Sequence, residues 1–330
     1  MAEDNCTTLE ATTTVDDSTV RGTVQYPSGF CGDNIVSHGL CGLILLDEAT
    51  QTIVKTPLWE WSPPSIQREI EVYQRLVSKG PHPGILTYHG EFEQGLRLEY
   101  APNADLYHFL QGKRFDGGKD HHNEPFKPTP QIRLQWMLQA AEALNHIHKA
   151  GIVHGDLTTI NMFLDKDLNL KIGDFAGSSI DSNEFLCAVT ESHLHPTDPN
   201  SEQGDIFAYG SAMYEIFTSE RPYAALSDEE IAEKFQSNLF PDTSHLGPVG
   251  RIIRNCWQGG YANVEAIVQD IKKLNQRGVA AATWTTQQPW ICSMVAAAQQ
   301  QPRLSRVMLC TLSAVALAFL VYQRTRSARS

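Results

Sequence analysis

The stretch from Gly151 to Ser179, GIVHGDLTTINMFLDKDLNLKIGDFAGSS, constrains this chain more than any other. It places Asp156, then Asn161 five residues on, then Asp174 at the head of Asp-Phe-Ala. Residues 161–165 and 168–172 each read as a short strand, joined by the turn Lys166-Asp167, so Asn161 and Asp174 would flank one hairpin. Two oxygen donors so placed suit a hard divalent cation such as Mg²⁺, and a carboxylate nearby suits the orientation of an acceptor hydroxyl. Phosphoryl transfer from a nucleotide uses these parts. The alternative is an acidic hairpin without a ligand.

A chain of 330 residues with 42% hydrophobic side chains can hold a two-lobed domain with tails. Its formal charge is −12, and because residues 301–330 carry five arginines and no acid, the rest holds −17. Sequence-independent binding to nucleic acid is excluded on that balance. Cys6, Cys31, Cys41, Cys187, Cys256, Cys292 and Cys310 show neither paired metal-ligand spacing nor a disulfide framework. The start, MAEDNCTTLE, has no basic and apolar signal region, so reduced thiols on the cytosolic side are expected.

His154-Gly155-Asp156-Leu157 and Asp174-Phe175-Ala176-Gly177-Ser178-Ser179 resemble the catalytic loop and activation-segment start of the protein kinase superfamily. The likeness covers roughly residues 35–275 and is nearest to short, divergent fungal kinases. It implies an α+β fold of two lobes, a small antiparallel β-sheet lobe with one helix and a larger, mainly helical lobe. The expected organisation is a disordered arm over 1–20, a kinase-like domain over 21–276 with lobes of about 21–100 and 101–276, a linker over 277–306, a membrane span over 307–322 and a basic tail over 323–330. ATP and Mg²⁺ are the implied cofactors and a protein the implied acceptor, with Asp156 as base and Asn161 and Asp174 on the metal.

Taken in order, residues 43–46 and 52–55 read as strands about the turn Asp47-Glu48-Ala49-Thr50, ending on Lys55. Upstream, Ser37-His38-Gly39-Leu40-Cys41-Gly42 matches a phosphate-cradling loop at Gly39 and Gly42 only; alone it reads equally as a glycine turn. Lys55 resembles the strand lysine that holds nucleotide phosphates. Glu69, on a helix marked by Ile66, Ile70, Tyr73, Leu76 and Val77, is the acid placed to pair with it. Outside the family context both would be solvated surface charges. Residues 85–91 and 96–100 are two further strands, and Leu98-Glu99-Tyr100-Ala101 resembles the hinge, with main-chain groups of Glu99 and Ala101 reading adenine. Asp105 is a ribose contact or a helix N-cap. Residues 112–129 have no apolar period and read as a mobile loop in which His121-His122 is a metal site or a solvated pair. Residues 131–149 form an apolar helix delivering the chain to His154. Residues 204–210, GDIFAYG, resemble the start of a buried helix whose Asp205 caps the catalytic loop. A further helix ends on Cys256-Trp257, and residues 264–274 form the last.

The chain departs from the kinase pattern at several places. Gly155 stands where many kinases have an arginine that reads a phosphorylated activation segment, so Ser178, Ser182 and Thr190 are not expected to act as an on-switch. Thr158 replaces the lysine that contacts the transferred phosphate, a loss worth a few kcal/mol at the transition state. Ala176 replaces a glycine. His195-Pro196-Thr197 and Tyr261 replace both halves of the ion pair that steadies the docking platform, and losing both is less costly than losing one. Ile53 and Phe163 narrow the adenine slot. Three functions compete: a protein kinase acting on a Ser, Thr or Tyr hydroxyl, a pseudokinase scaffold, and a small-molecule kinase, since His-Gly-Asp-Leu serves those enzymes too.

Residues 307–322 are charge-free and apolar on every face. As a helix they rise about 24 Å, short of the ~30 Å hydrocarbon core, with Arg306 and Arg324 able to reach the headgroups. A C-terminal anchor leaving the kinase-like domain cytosolic is expected. Its basic flanks, Arg303, Arg306, Arg324, Arg326 and Arg329, resemble mitochondrial outer-membrane tail anchors. The alternatives are a helix docked on the large lobe or an amphipathic surface helix.

Overall fold

Alternation along a strand sends successive side chains to opposite faces, and here it separates a covered outer face from a working inner one. The computed structural model describes residues 8–15, 18–38, 42–58, 63–116, 119–122, 127–181 and 190–286. Strands β1 (Thr8–Val15) and β2 (Ser18–Gln25) pair as an antiparallel hairpin. A disordered arm was expected over residues 1–20; over 8–15 and 18–20 the structure has strands instead, in a run rich in β-branched threonine and valine, whose restricted side chains suit extended backbone, and residues 1–7 lie outside the described residues. β3 (Ile35–His38), β4 (Gly42–Asp47) and β5 (Thr52–Pro57) follow. Leu43, Leu45 and Val54 make a small core on one face, covered by Tyr26, Phe30, Ile35, Leu58 and Phe92. Ile53 and Lys55 therefore point from the other face.

Helix α1 (Pro63–Lys79) buries Ile66, Glu69, Ile70, Tyr73 and Leu76, a stripe at three- and four-residue spacing that carries Glu69 inward with it. Val77, expected on that stripe, is 55% exposed and lies on the outer face. β6 (Tyr88–Phe92) and β7 (Gly95–Glu99) complete a five-stranded antiparallel sheet of order β3-β4-β5-β7-β6 among the described residues. In it Lys55 sits between Ile44 and Leu96. Gly95 is obligatory here, since a Cβ at that position would fall 2.1 Å from the Lys55 carbonyl oxygen.

The second lobe begins at α2 (Leu106–Leu110). β8 (Lys113–Asp116) and β9 (Lys119–His122) form a second hairpin where a mobile loop was expected. Its strands lack apolar alternation, so periodicity could not reveal them. Thr129 caps α3 (Pro130–Lys149), whose Trp136, Met137, Ala140, Ala141, Ala143, Leu144 and Ile147 are buried. Then come β10 (Ile152–Val153), β11 (Met162–Leu164), β12 (Leu170–Ile172) and β13 (Ser179–Ile180). β11 and β12 are the expected hairpin, and Leu86 and Gly84 join β12 to the first lobe through Leu86 N to Ile172 O (3.0 Å) and Ile172 N to Gly84 O (2.8 Å).

Helix α4 (Glu202–Thr218), capped by Ser201, is buried along most of its length and packs against α6 (Gly247–Trp257); α5 (Asp228–Gln236) lies between them in sequence. α7 (Val264–Thr286) continues past the expected end at Leu274, through the helix-favouring run Ala280-Ala281-Ala282. The chain divides after Asn275 into two units, and of the second the structure describes residues 276–286. Gly39 and residues 307–322 lie outside the described residues, among which no helix is long and apolar enough to cross a membrane.

Gly210 on α4 decides how closely α6 approaches. A Cβ there would stand 2.8 Å from Cys256 Cβ and 3.2 Å from the Trp257 ring. Ala in mid-helix gains about 1 kcal/mol over Gly, whereas overpacking costs about 1–3 kcal/mol, so the contact prevails. Gly210→Ala is expected to lower the unfolding free energy by about 1 kcal/mol in urea denaturation. A stabilised variant would show that the two helices have room to part.

Candidate active site

The loop from His154 to Asn161 hangs from α4. Asp205, 1% exposed, accepts the His154 amide at 2.8 Å and the Gly155 amide at 2.9 Å, with His148 Nε2 2.9 Å from the same carboxylate. Burial would raise its pKa, but His148, His154 and the Gly155 amide outweigh it and hold Asp205 ionised. Gly155 has φ +77°, a backbone region that side chains resist, so glycine relieves strain at the position that lacks arginine. His154 Nδ1 accepts the Asp156 amide at 3.3 Å and Nε2 donates to the Gly173 carbonyl at 3.2 Å, which fixes the tautomer with its proton on Nε2.

Asp156 is gripped by Asn161, whose Nδ2 donates to the Asp156 carbonyl at 2.8 Å and to Oδ2 at 2.9 Å. The amide nitrogen of Asn161 is thereby committed, and its oxygen is the atom left for a cation. Burial pushes the Asp156 carboxyl above its ordinary range, with Asp174 and Asp205 adding to the rise and His154 and Asn161 opposing it.

Lys55 joins the lobes. Its Nζ lies 2.7 Å from Glu69 Oε2 and 2.6 Å from Asp174 Oδ1. Burial pulls the ammonium down, but Asp174 and Glu69 together outweigh it and hold Lys55 protonated above the usual lysine range. Burial pushes Glu69 up against the pull of Lys55, while at Asp174 the lysine wins over burial and the carboxyl is held low. Asp174 has φ +58° and keeps 44% of its side chain exposed, so a strained turn aims a charged oxygen into the cleft. Glu69 Oε1 also accepts the Phe175 amide at 3.3 Å. Behind the pair runs a continuous column of rings, Tyr88 on Tyr73 (5.5 Å), Tyr73 on Phe175 (5.1 Å) and Phe175 on His154 (5.1 Å).

The sequence-expected residues mostly converge. Gly42 lies against the Lys55 stem, where a Cβ would stand 3.2 Å from Cγ. Gly39 falls outside the described residues. The Glu99 amide donates to the Thr87 carbonyl at 2.9 Å and the Ala101 carbonyl accepts from Ala104 at 3.1 Å, so the hinge groups left to read a base are the Glu99 carbonyl and the Ala101 amide. Asp105 is the N-cap of α2: Oδ1 accepts the His108 amide at 3.0 Å and Oδ2 meets His108 Nδ1 at 2.7 Å. A ribose contact would have to share those oxygens. His121-His122 lie on β9, and no group of three or more His, Cys, Asp or Glu able to hold a metal occurs among the described residues. The Asn161 and Asp174 oxygens still fit a Mg²⁺ that takes its remaining ligands from phosphate and water.

Five contacts were not foreseen: Lys55 to Asp174, Arg68 to the Ser178 carbonyl (2.7 Å), Arg75 to both Asp181 (2.7 Å) and the Ala150 carbonyl (3.2 Å), and Thr159 to Glu215. No local pattern announces them. Ser178 is fully buried and its hydroxyl donates to the His154 carbonyl at 2.8 Å, so it fastens the loop and is not a neutral site for substitution; Ser182 lies outside the described residues and Thr190 is exposed. Where the docking ion pair is missing, the His195 ring packs on Phe207 at 5.3 Å and Tyr261, 6% exposed, donates to Asp270 at 3.1 Å.

Residues 45–264 match the family model "protein tyrosine and serine/threonine kinase". The chain is 24% identical over 260 residues to a probable serine/threonine-protein kinase of Dictyostelium discoideum, covering 70% of this chain and 27% of that protein. It is 27% identical over 207 residues to a serine/threonine-protein kinase of Arabidopsis thaliana, covering 58% and 24%. To an inactive serine/threonine-protein kinase of Mus musculus it is 26% identical over 198 residues, covering 56% and 31%. The matched region thus spans less than a third of the length of each of these relatives.

Lys55→Met would leave Glu69, fully buried, without its cation. Breaking a buried pair in this way costs about 3–5 kcal/mol, so this variant is expected to be destabilised as well as impaired, contrary to what the hydrophobic pattern alone implies. With the lysine gone, the folded-state pKa of Glu69 sits above its unfolded value, so the folded state binds the proton more tightly. Stability is then expected to fall as pH rises from the ordinary carboxylate range through that raised pKa. Urea titrations at several pH values check this, and Lys55→Met/Glu69→Leu should recover most of the loss. A pH-independent loss would show that Glu69 finds another partner.

Proposed function

The chain belongs to the protein tyrosine and serine/threonine kinase family, and from that premise we propose that it transfers the γ-phosphate of ATP to a protein hydroxyl. The observation that carries this is the assembly of Lys55, Glu69 and Asp174 within ion-pair distance while Asn161 holds Asp156. In the step so proposed, the acceptor oxygen bonds to γ-phosphorus, the bond from γ-phosphorus to the bridging oxygen breaks, and ADP leaves with that electron pair. Asp156 orients the acceptor hydroxyl and takes its proton. Lys55, fixed by Glu69, holds phosphate oxygens, and the hinge groups of Glu99 and Ala101 take the base. Mg²⁺, held by Asn161 and Asp174, would offset the phosphate charge.

Two observations favour a second reading, a pseudokinase scaffold. Thr158, 8% exposed, brings no positive charge to the loop, and one relative of the matched region is named as inactive. Asp156→Asn separates the readings: it is expected to lower kcat by about 10²–10⁴-fold with nucleotide affinity kept, whereas a scaffold has no rate to lose. Because burial raises Asp156 and its ionised form accepts the proton, the rate should fall with decreasing pH through a value above the ordinary 3.8. An acid limb at or below that value would remove Asp156 as the base. Thr158→Lys should raise kcat about tenfold or more if the missing charge limits the rate.

Membrane attachment through residues 307–322 is a separate proposal, supported by the charge-free run alone. Full-length protein is expected in the carbonate-resistant membrane fraction, and a chain ending at Gln301 in the supernatant. Full-length protein released by carbonate would overturn it.

A further inference from the structure

α4 carries a second carboxylate to the catalytic loop. Ten residues after Asp205, about 15 Å along the helix, Glu215 is 2% exposed, and its Oε2 accepts the Thr159 hydroxyl at 2.6 Å. Thr159 is itself 1% exposed, and Glu215 Oε1 has no hydrogen-bond partner among the described residues. A carboxylate buried in the last turn of a helix is costly, and an apolar side chain of similar volume would fill the space at less cost, so packing does not account for it. Burial pushes its pKa up, with Asp105 adding and the Thr159 hydroxyl and Arg221 opposing.

What Thr159 does is local and geometrical. It opens the 3₁₀ turn Thr159–Asn161, closed by the Asn161 amide donating to the Thr158 carbonyl at 3.1 Å. From that turn Asn161 reaches back to Asp156 Oδ2 at 2.9 Å. The preceding residue, Thr158, donates its amide to the Asp156 carbonyl at 3.0 Å. The loop is thus tied at its head by Asp205 and at its tail by Glu215. Between the ties the backbone has left-handed freedom at Gly155, and the tail tie limits where the turn can settle.

We propose that Glu215 is a positioning residue: through the Thr159 hydroxyl it fixes the 3₁₀ turn that aims Asn161 at Asp156. Its effect on catalysis rests on the phosphotransfer reading above, whereas its effect on the loop does not. Glu215 touches neither nucleotide nor acceptor in this role.

The test uses the full chain and four variants. Thr159→Val keeps shape and loses the hydroxyl; Glu215→Leu loses the acceptor; Glu215→Gln and Thr159→Ser keep the bond. Hydrogen exchange of the Thr158 and Asn161 amides is expected to quicken about tenfold or more in the first two, the scale set by a hydrogen bond to a charged group, and to stay near wild type in the last two. kcat should fall in parallel with the KM for ATP unchanged. Wild-type exchange at both amides in Thr159→Val overturns the proposal, as does a general loss of stability without faster local exchange. Should Glu215→Leu fail to fold, Thr159→Val against Thr159→Ser decides alone. If no variant, wild type included, transfers phosphate, the phosphotransfer reading falls and the exchange data still decide the role of Glu215.

Discussion

Everything about the cleft depends on one buried ammonium shared by two carboxylates. Lys55 comes from β5, Glu69 from α1 and Asp174 from the segment after β12, so the triad sets the distance between the sheet, the helix and the second lobe. At an effective dielectric near 20, the contact of Lys55 with Glu69 is worth on the order of 6 kcal/mol of attraction, that with the 44% exposed Asp174 less because water screens it, and removing the ammonium and Glu69 from water costs several kcal/mol apiece. The two nearly cancel. The triad is therefore poor as a source of stability and good as a constraint, since any shift of α1 loses attraction without bringing the buried Glu69 back to solvent. The ring column from Tyr88 to His154 stands behind it and resists the same displacements through packing.

The departures from the family pattern fall where the structure has another means of holding the loop. Gly155 accepts a positive φ while its amide and that of His154 rest on Asp205. Ser178 ties the activation-segment start to His154, and Arg68 and Arg75 tie it to α1. Arg75 to Asp181 is solvent-exposed and worth little by itself; its geometry with two nitrogens on two oxygens makes it an orienting contact. At the missing docking ion pair, His195 packs on Phe207 and Tyr261 is buried in the core with its hydroxyl on Asp270, so neither position leaves an unpaired charge.

How far the site was legible in sequence follows the range of each interaction. Helical periodicity found α1 and α3, while Glu69 was marked by the family likeness, since without it a glutamate there reads as a solvated surface charge; turn chemistry found the hairpin of β11 and β12. The hairpin of β8 with β9 escaped because its strands bear no apolar alternation, and that of β1 with β2 because a run rich in threonine and aspartate offers little to bury; α7 ran on through Arg277-Gly278, a stop signal that the alanines after it override. Asp105 stayed divided between two roles until its carboxylate was seen on the His108 amide. The pairing of Lys55 with Asp174 spans 119 residues, and that of Thr159 with Glu215 spans 56. At such separations only the folded topology brings the partners together, and the residue types alone name many candidate pairs.

A lysine ammonium has three protons to donate. Glu69 and Asp174 engage Lys55 in the ion pairs, and a third donor direction remains for a phosphate oxygen. Asp174, whose carboxylate also takes the Ala176 amide, keeps 44% of its side-chain surface exposed, held there by a positive-φ turn that Ala176, unlike glycine, does little to relax. Asn161 has committed its nitrogen to Asp156 and retains its oxygen. Lys55 and Asn161 thus each have one function spent on positioning and one in reserve, so on the phosphotransfer reading nucleotide binding need not first break the scaffold. On the phosphotransfer reading, the weakness of this site lies in charge at the moment of transfer, at Thr158, and not in the assembly of the groups around it.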